Sequence, residues 1–178
     1  LGLLINPRNI TVTVKVVKDA ARCVIDLMRH AHDWMPDFLG YWNMSFDVGK
    51  MLEALERANI DPALVFSDPS VPRAYRSFNY KKDLMIKQIT GGRTMSKHPA
   101  DLWHVITSPA SFYHIDLMCY YKKNRIAHQQ ETSYALDAIL TKELNIGKLR
   151  FTAADGLTSL EWHEYMQKNH KIEYLIYN

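Results

Sequence analysis

The stretch Tyr41-Trp42-Asn43-Met44-Ser45-Phe46-Asp47-Val48 decides how this chain is read. Ahead of it, Phe38-Leu39-Gly40 opens a short run that is apolar on both faces, as expected of a buried central strand. Behind it, Val48, Met51, Leu52 and Leu55 mark the apolar stripe of an amphipathic helix. Residues 43–47 therefore sit where a strand hands over to a helix, the edge at which open α/β sheets gather side chains around a ligand. At such a junction Asp47 either caps the helix or holds a hard divalent cation that also touches phosphate oxygens, and caps are the commoner use. Asn43 offers both a donor and an acceptor, and Phe46 either packs inside or turns outward to stack on a base.

Working outward, Ile10, Val12 and Val14 alternate with threonines and predict a strand over residues 10–17. From Asp19 the period becomes helical through Ala21, Val24, Ile25 and Met28, and Pro36 ends it. Prolines and small polar residues favour turns over residues 59–76. Residues 84–89 read as a strand, with Gly91-Gly92 as a break. Residues 102–107 and 112–117 read as a second pair of strands joined by the hairpin loop Ser108-Pro109-Ala110-Ser111. In the second member Phe112, His114 and Asp116 share one face. Residues 133–144 are helical, with Leu136, Ile139 and Leu140 inward and Asn145-Ile146-Gly147 as the stop. Thr158 and Glu161 have the spacing of a capping box, and a last helix carries Ile172, Leu175 and Ile176. The predicted fold class is α/β: a mixed β-sheet flanked by helices, with a hairpin-rich insertion.

Composition narrows the classes without choosing one. The 178 residues suit one domain, 47% of them are apolar, and 22 lysines and arginines against 19 acids leave a formal charge of +3, too small to identify a nucleic-acid binder. Two cysteines give neither a disulfide framework nor a zinc spacing, and no apolar run approaches the roughly 18 residues of a membrane span. The pairs Lys81-Lys82 and Lys122-Lys123 read as solvated surface, with a phosphate-facing edge as the alternative. The chain opens without methionine and closes within a helical pattern, so the expectation is a piece of a longer protein. One carboxylate does not make a hydrolytic centre. Asp116 is the other acid in a sheet-like context, read as structural or as support for a ligand, and Asp137 lies on a helix.

Residues 41–48 resemble the second exonuclease motif of family B DNA polymerases, whose core is Asn, two or three residues, Phe or Tyr, then Asp. Farther on, His114-Ile115-Asp116-Leu117, then Ser133-Tyr134-Ala135-Leu136-Asp137-Ala138-Ile139, then Glu143-Leu144-Asn145-Ile146-Gly147-Lys148-Leu149 are similar to that family's Ile-Asp-Leu strand and its Ser-Leu-Asp helix ending in Gly-Lys. The last stretch is most similar to the polymerases of large tailed phages. The matches fall in the family's order over residues 38–178.

The resemblance implies an RNase H-like 3′→5′ proofreading exonuclease domain, present in part over residues 1–178. It implies two Mg²⁺ or Mn²⁺ ions, with Asp47 as a catalytic metal ligand and Asn43 and Phe46 on the single-stranded 3′ end of the primer. Tyr177, in Glu173-Tyr174-Leu175-Ile176-Tyr177-Asn178, matches the tyrosine of the third motif, Tyr, three residues, Asp, and would orient the attacking water; the matching Asp falls after Asn178. Tyr174 is the rival by spacing. The first motif, Asp-x-Glu, is not found ahead of Asp19. The partners implied are the remaining polymerase domains and a sliding clamp, and the place implied is the cytoplasm, the host's if the protein is viral. With these carboxylates lacking, the chain by itself is expected to be inactive. The alternative is an inactive exonuclease-like module that binds single strands or serves as a scaffold. An RNA-degrading relative is weaker, because the helix ending in Gly147-Lys148 argues against it, and an unrelated metabolic α/β enzyme is weaker still, because Gly91-Gly92-Arg93 forms neither a phosphate-cradling loop nor a nucleophile elbow.

Overall fold

The computed structural model describes residues 15, 17–89, 91–125, 127, 131–147 and 156–177, with backbone alone at 159 and 175–177. The strand expected over residues 10–17 falls almost wholly outside them, as do Lys148 and Asn178. Val16–Tyr134 forms one compact unit, and Ala135–Asn178 belongs to a second.

In the first unit the chain runs α1 (Ala20–Trp34), β1 (Phe38–Tyr41), α2 (Met44–Arg57), α3 (Pro62–Phe66), β2 (Asn79–Lys81), β3 (Ile86–Gln88), β4 (Thr94–Ser96), β5 (Val105–Thr107), β6 (Tyr113–Asp116) and α4 (Leu117–Asn124). The start of α1 is chemical: the Asp19 carboxylate accepts the Arg22 N–H at 2.7 Å. It stops where Met35 turns left-handed ahead of Pro36. Its buried stripe of Ala21, Val24 and Met28 packs with Met44, Val48 and Leu55 of α2 around Phe66 and Ile106. Residues 59–76 are not all turn, because Asp61 caps α3 through the Ala63 N–H and Pro62 starts that helix.

The topology is mixed α/β, with small sheets flanked by helices. Among the described residues the sheets are three pairs: β1 parallel to β6, β2 antiparallel to β5, and β3 antiparallel to β4. Two expectations are corrected. Residues 102–107 and 112–117 do not form a hairpin, since β5 pairs with β2 and β6 pairs with β1. The hairpin is β3–β4 instead, turned through Gly91 and Gly92 at φ of 86° and 76°, which side chains disfavour. Nor is β1 buried on both faces: Phe38 is 61% exposed, and only Tyr41 is buried in the core.

Gly40 has a positional reason. A Cβ there would come within 2.6 Å of Leu117 Cδ1 and 2.8 Å of Cγ, so its absence lets α4 close over β1.

The second unit carries α5 (Leu136–Leu144), α6 (Ser159–Asn169) and α7 (Lys171–Tyr177). Asn145 ends α5 at φ 52°, and α6 opens on the capping box of Thr158 and Glu161. Helices α6 and α7 meet around Tyr174, whose hydroxyl lies 3.1 Å from His163 Nδ1 and accepts Gln167 Nε2–H at 3.0 Å. No helix among the described residues is long and apolar enough to cross a membrane.

Candidate functional site

Strands β1 and β6 run parallel with Tyr41 opposite Asp116, so both reach their carboxyl ends at one edge. Each then enters a helix, α4 directly after Asp116 and α2 after Trp42 and Asn43. Two helix amino termini, each with orphan N–H groups and a positive dipole end, therefore lie beside each other there.

Asn43 makes the sharper turn, in the left-handed region at φ 75° and ψ 72°. Asparagine is among the few residues with a side chain that tolerate this conformation. Its side chain gives α2 no cap; its Oδ1 accepts the Ser45 hydroxyl at 2.9 Å, while its carbonyl accepts the N–H groups of Phe46 and Asp47 at 3.0 and 3.2 Å. Two simple uses considered for this turn are thereby set aside. Asp47 is not the helix cap but lies in the first turn, and Phe46 does not pack inside, standing 61% exposed.

The carboxyl of Asp47 is half-buried and held above the usual range, first by burial and then by the negative charge of Asp116. Both causes disfavour the charged form of the group. Asp116 itself is 2% exposed and takes three backbone hydrogen bonds. Its Oδ1 accepts from Met118 and Cys119 at 3.0 and 3.2 Å and caps α4, and its Oδ2 accepts from Met44 at 2.8 Å. Its carboxylate thus serves the backbone at that edge.

The polar neighbours that complete this edge lie outside the cores of the sequence motifs. The Tyr41 hydroxyl is pushed up by burial and by Asp47, and lies 2.9 Å from His114 Nδ1. Burial, then the proximity of His32, pulls His114 down to about 4, so this imidazole is neutral near pH 7. With the phenol assigned as donor, the ring proton sits on Nε2. Near Asp116, burial raises Tyr80 and lowers His104, and the Tyr80 hydroxyl and His104 Nε2 are buried without a partner among the described residues. The readable signal was alternation in residues 112–116, which puts His114 and Asp116 on one face.

Tyr177 lies on α7 in the second unit, and its side chain is outside the described ones. Tyr174 is engaged with His163 and Gln167. Arg76 pins its own loop through the carbonyls of Val71 and Pro69, at 2.9 and 2.6 Å. Lys122 bonds Asp101 at 2.6 Å. Among the described residues no group of three or more His, Cys, Asp or Glu is arranged to hold a metal ion. Asp47 is the acid at this edge whose carboxylate is not committed to helix caps. No protein-family model matches the chain, and no curated protein matches it at a significant level.

Proposed function

We propose that this chain is part of the RNase H-like 3′→5′ proofreading exonuclease domain of a family B DNA-directed DNA polymerase. The observation that carries the reading is one turn: Asn43, an exposed Phe46 and a half-buried Asp47 at the carboxyl edge of a parallel strand pair. Asp47 suits one arm of a divalent-metal site, because a carboxyl destabilised by burial and by a second acid gains most from a nearby cation. Mg²⁺ or Mn²⁺, bound by Asp47 together with carboxylates from other segments, would supply charge stabilisation at the transferring phosphoryl group.

The chain's own residues bind and orient. Phe46 offers a ring to the terminal base, and Asn43 hydrogen-bonds the strand beside it. Tyr177, carried over from the resemblance, orients the attacking water. A mispaired end enters preferentially because it has already lost its pairing energy. The partners of this reading are the single-stranded 3′ end of the primer and the remaining polymerase domains, with a sliding clamp as a partner of the whole enzyme.

The test is a titration of the chain, followed residue by residue in its NMR spectrum, with Mn²⁺ and with a short oligodeoxythymidylate bearing a free 3′ hydroxyl. Mn²⁺ should broaden Asp47 and its neighbours first, and the oligonucleotide should shift Asn43 and Phe46. If those positions stay silent, the reading fails. The chain by itself is expected to digest no DNA, since one carboxylate does not make a hydrolytic centre; brisk metal-dependent digestion by pure protein would contradict this.

The exposure of Phe46 also favours a second reading, an inactive exonuclease-like module that binds single strands or serves as a scaffold. Such a module would bind the oligonucleotide equally well with and without metal, and Asp47→Asn would leave that binding unchanged.

A further inference from the structure

We propose that Asp116 is a positioning residue, whose buried carboxylate holds the turn that presents Asn43, Phe46 and Asp47. The assignment of a role to that turn rests on the proofreading reading; the geometry of Asp116 does not.

Helix α2 has no side-chain cap of its own. A helix leaves its first N–H groups unpaired, and a side chain at the cap position usually takes one of them. Asn43 occupies that position and caps nothing, its Oδ1 being turned to Ser45. The Met44 N–H is nonetheless buried and paired, and its acceptor is the Asp116 carboxylate, 72 positions along the chain on the neighbouring strand. An orphan donor of one helix is thus satisfied from the end of the other strand.

The two carboxylate oxygens divide the work. Oδ1 caps α4 through Met118 and Cys119, and Oδ2 reaches across to α2. The groups around this carboxylate are Asp47, Tyr80, His104 and Cys119. Among the described residues Asp116 has no ion pair, and its carboxylate is held by backbone N–H groups.

The turn needs such a tie. Asn43 is held left-handed, a conformation that costs free energy and persists where the surroundings impose it. The strand pair is short, four residues each, and its ladder stops at Tyr41 and Asp116. Beyond that point the Asp116–Met44 bond continues the connection between the two chains. Releasing it would free the first turn of α2, which carries Phe46 and Asp47.

The test is amide exchange, read by NMR on the full 178-residue chain, in the wild type, Asp116→Asn and Asp116→Ala. In Asp116→Ala the Met44 N–H should exchange about tenfold faster or more, measured against the core amide of Met28 in α1. Phe46 and Asp47 should shift with it. Asp116→Asn keeps one carbonyl oxygen and should fall between. If Met118 and Cys119 lose protection while Met44 keeps it, Asp116 is only the cap of its own helix, and the proposal is overturned. Should Asp116→Ala fail to fold, Asp116→Asn carries the test. If that variant loses Met28 protection as fully as Met44 protection, the carboxylate supports the whole unit rather than the turn, and the proposal again fails.

A second readout separates position from stability. Asp116→Asn should weaken the oligodeoxythymidylate-induced shift at Phe46 at a temperature where Met28 remains protected; an undiminished shift would count against positioning. If the wild type shows no response at Phe46 or Asp47 to oligonucleotide or Mn²⁺, the proofreading reading falls, and the exchange of Met44 alone decides the role of Asp116.

Discussion

The hydroxyl of Tyr41 and Nδ1 of His114 meet at 2.9 Å across 73 positions of sequence, tying the last residue of β1 to the strand beside it. The imidazole in this pair is held near 4, against about 6.5 for a free histidine. Between these values the unfolded chain binds the proton and the folded chain does not. Stability is therefore fully present above about pH 6.5 and is lost as pH falls through about 4, by up to ~3 kcal/mol for this group. Asp47, whose carboxyl is raised, pulls in the opposite direction in acid. Urea midpoints at pH 7 and pH 4.5 should show the loss, and His114→Gln should flatten the difference. A wild type and a variant with equal slopes would remove His114 as the cause.

Phe46→Ala separates fold from function at the turn. The ring is mostly exposed, so the change should move stability by no more than about 0.5 kcal/mol. A stacking ring contributes ~1–3 kcal/mol per base, so affinity for a labelled oligodeoxythymidylate should fall about 5- to 150-fold. Anisotropy titrations at fixed low salt make the comparison, and equal affinities would mean that the ring touches no base.

The two cysteines should react very differently. Cys119 is buried, its thiol donates to the carbonyl of Leu102 at 3.3 Å, and burial with the charge of Asp116 pushes it up to about 12. Cys23 is exposed on α1. A thiol reagent at pH 8 should label one site in the native protein and both in urea. Native labelling of Cys119 at the rate of Cys23 would show that the α4 end of the unit opens readily.

Gly40→Ala places a methyl group into Leu117. The clash involves Cγ as well as Cδ1, so it is not relieved by the tip of the side chain alone, and the cost should be about 1–3 kcal/mol. Leu117→Ala in the same chain should recover part of that loss. Strict additivity of the two changes in denaturation would show that they do not meet.

Local chemistry was legible in the sequence, and partnership was not. Asp19 and Pro36 bracket α1, Thr158 and Glu161 open α6, and Asn145 closes α5, each through a bond or dihedral made within a few residues. The strand over residues 113–116 was equally visible in its alternation. Its partner was misread because Ser108-Pro109-Ala110-Ser111 has the residues of a tight turn, whereas pairing depends on contacts with residues 38–41, far along the chain. Phe38 shows the same limit: an apolar residue in an apolar run tells nothing of whether a neighbour covers it, and it stands in solvent. At the candidate site, Asp47 and Asn43 could be singled out by local order. The tie from Asp116 to Met44 could not, since no periodicity links the end of one strand to the helix that follows another.

The left-handed backbone at Asn43 decides how that position can be probed. Alanine there would lose the side chain and strain the turn together, so a weakened protein would report two effects as one. Glycine accepts the same dihedrals without strain, so Asn43→Gly keeps the bend and deletes only the amide. Any difference between the two replacements measures the bend, and whatever loss they share belongs to the hydrogen bonds of the side chain.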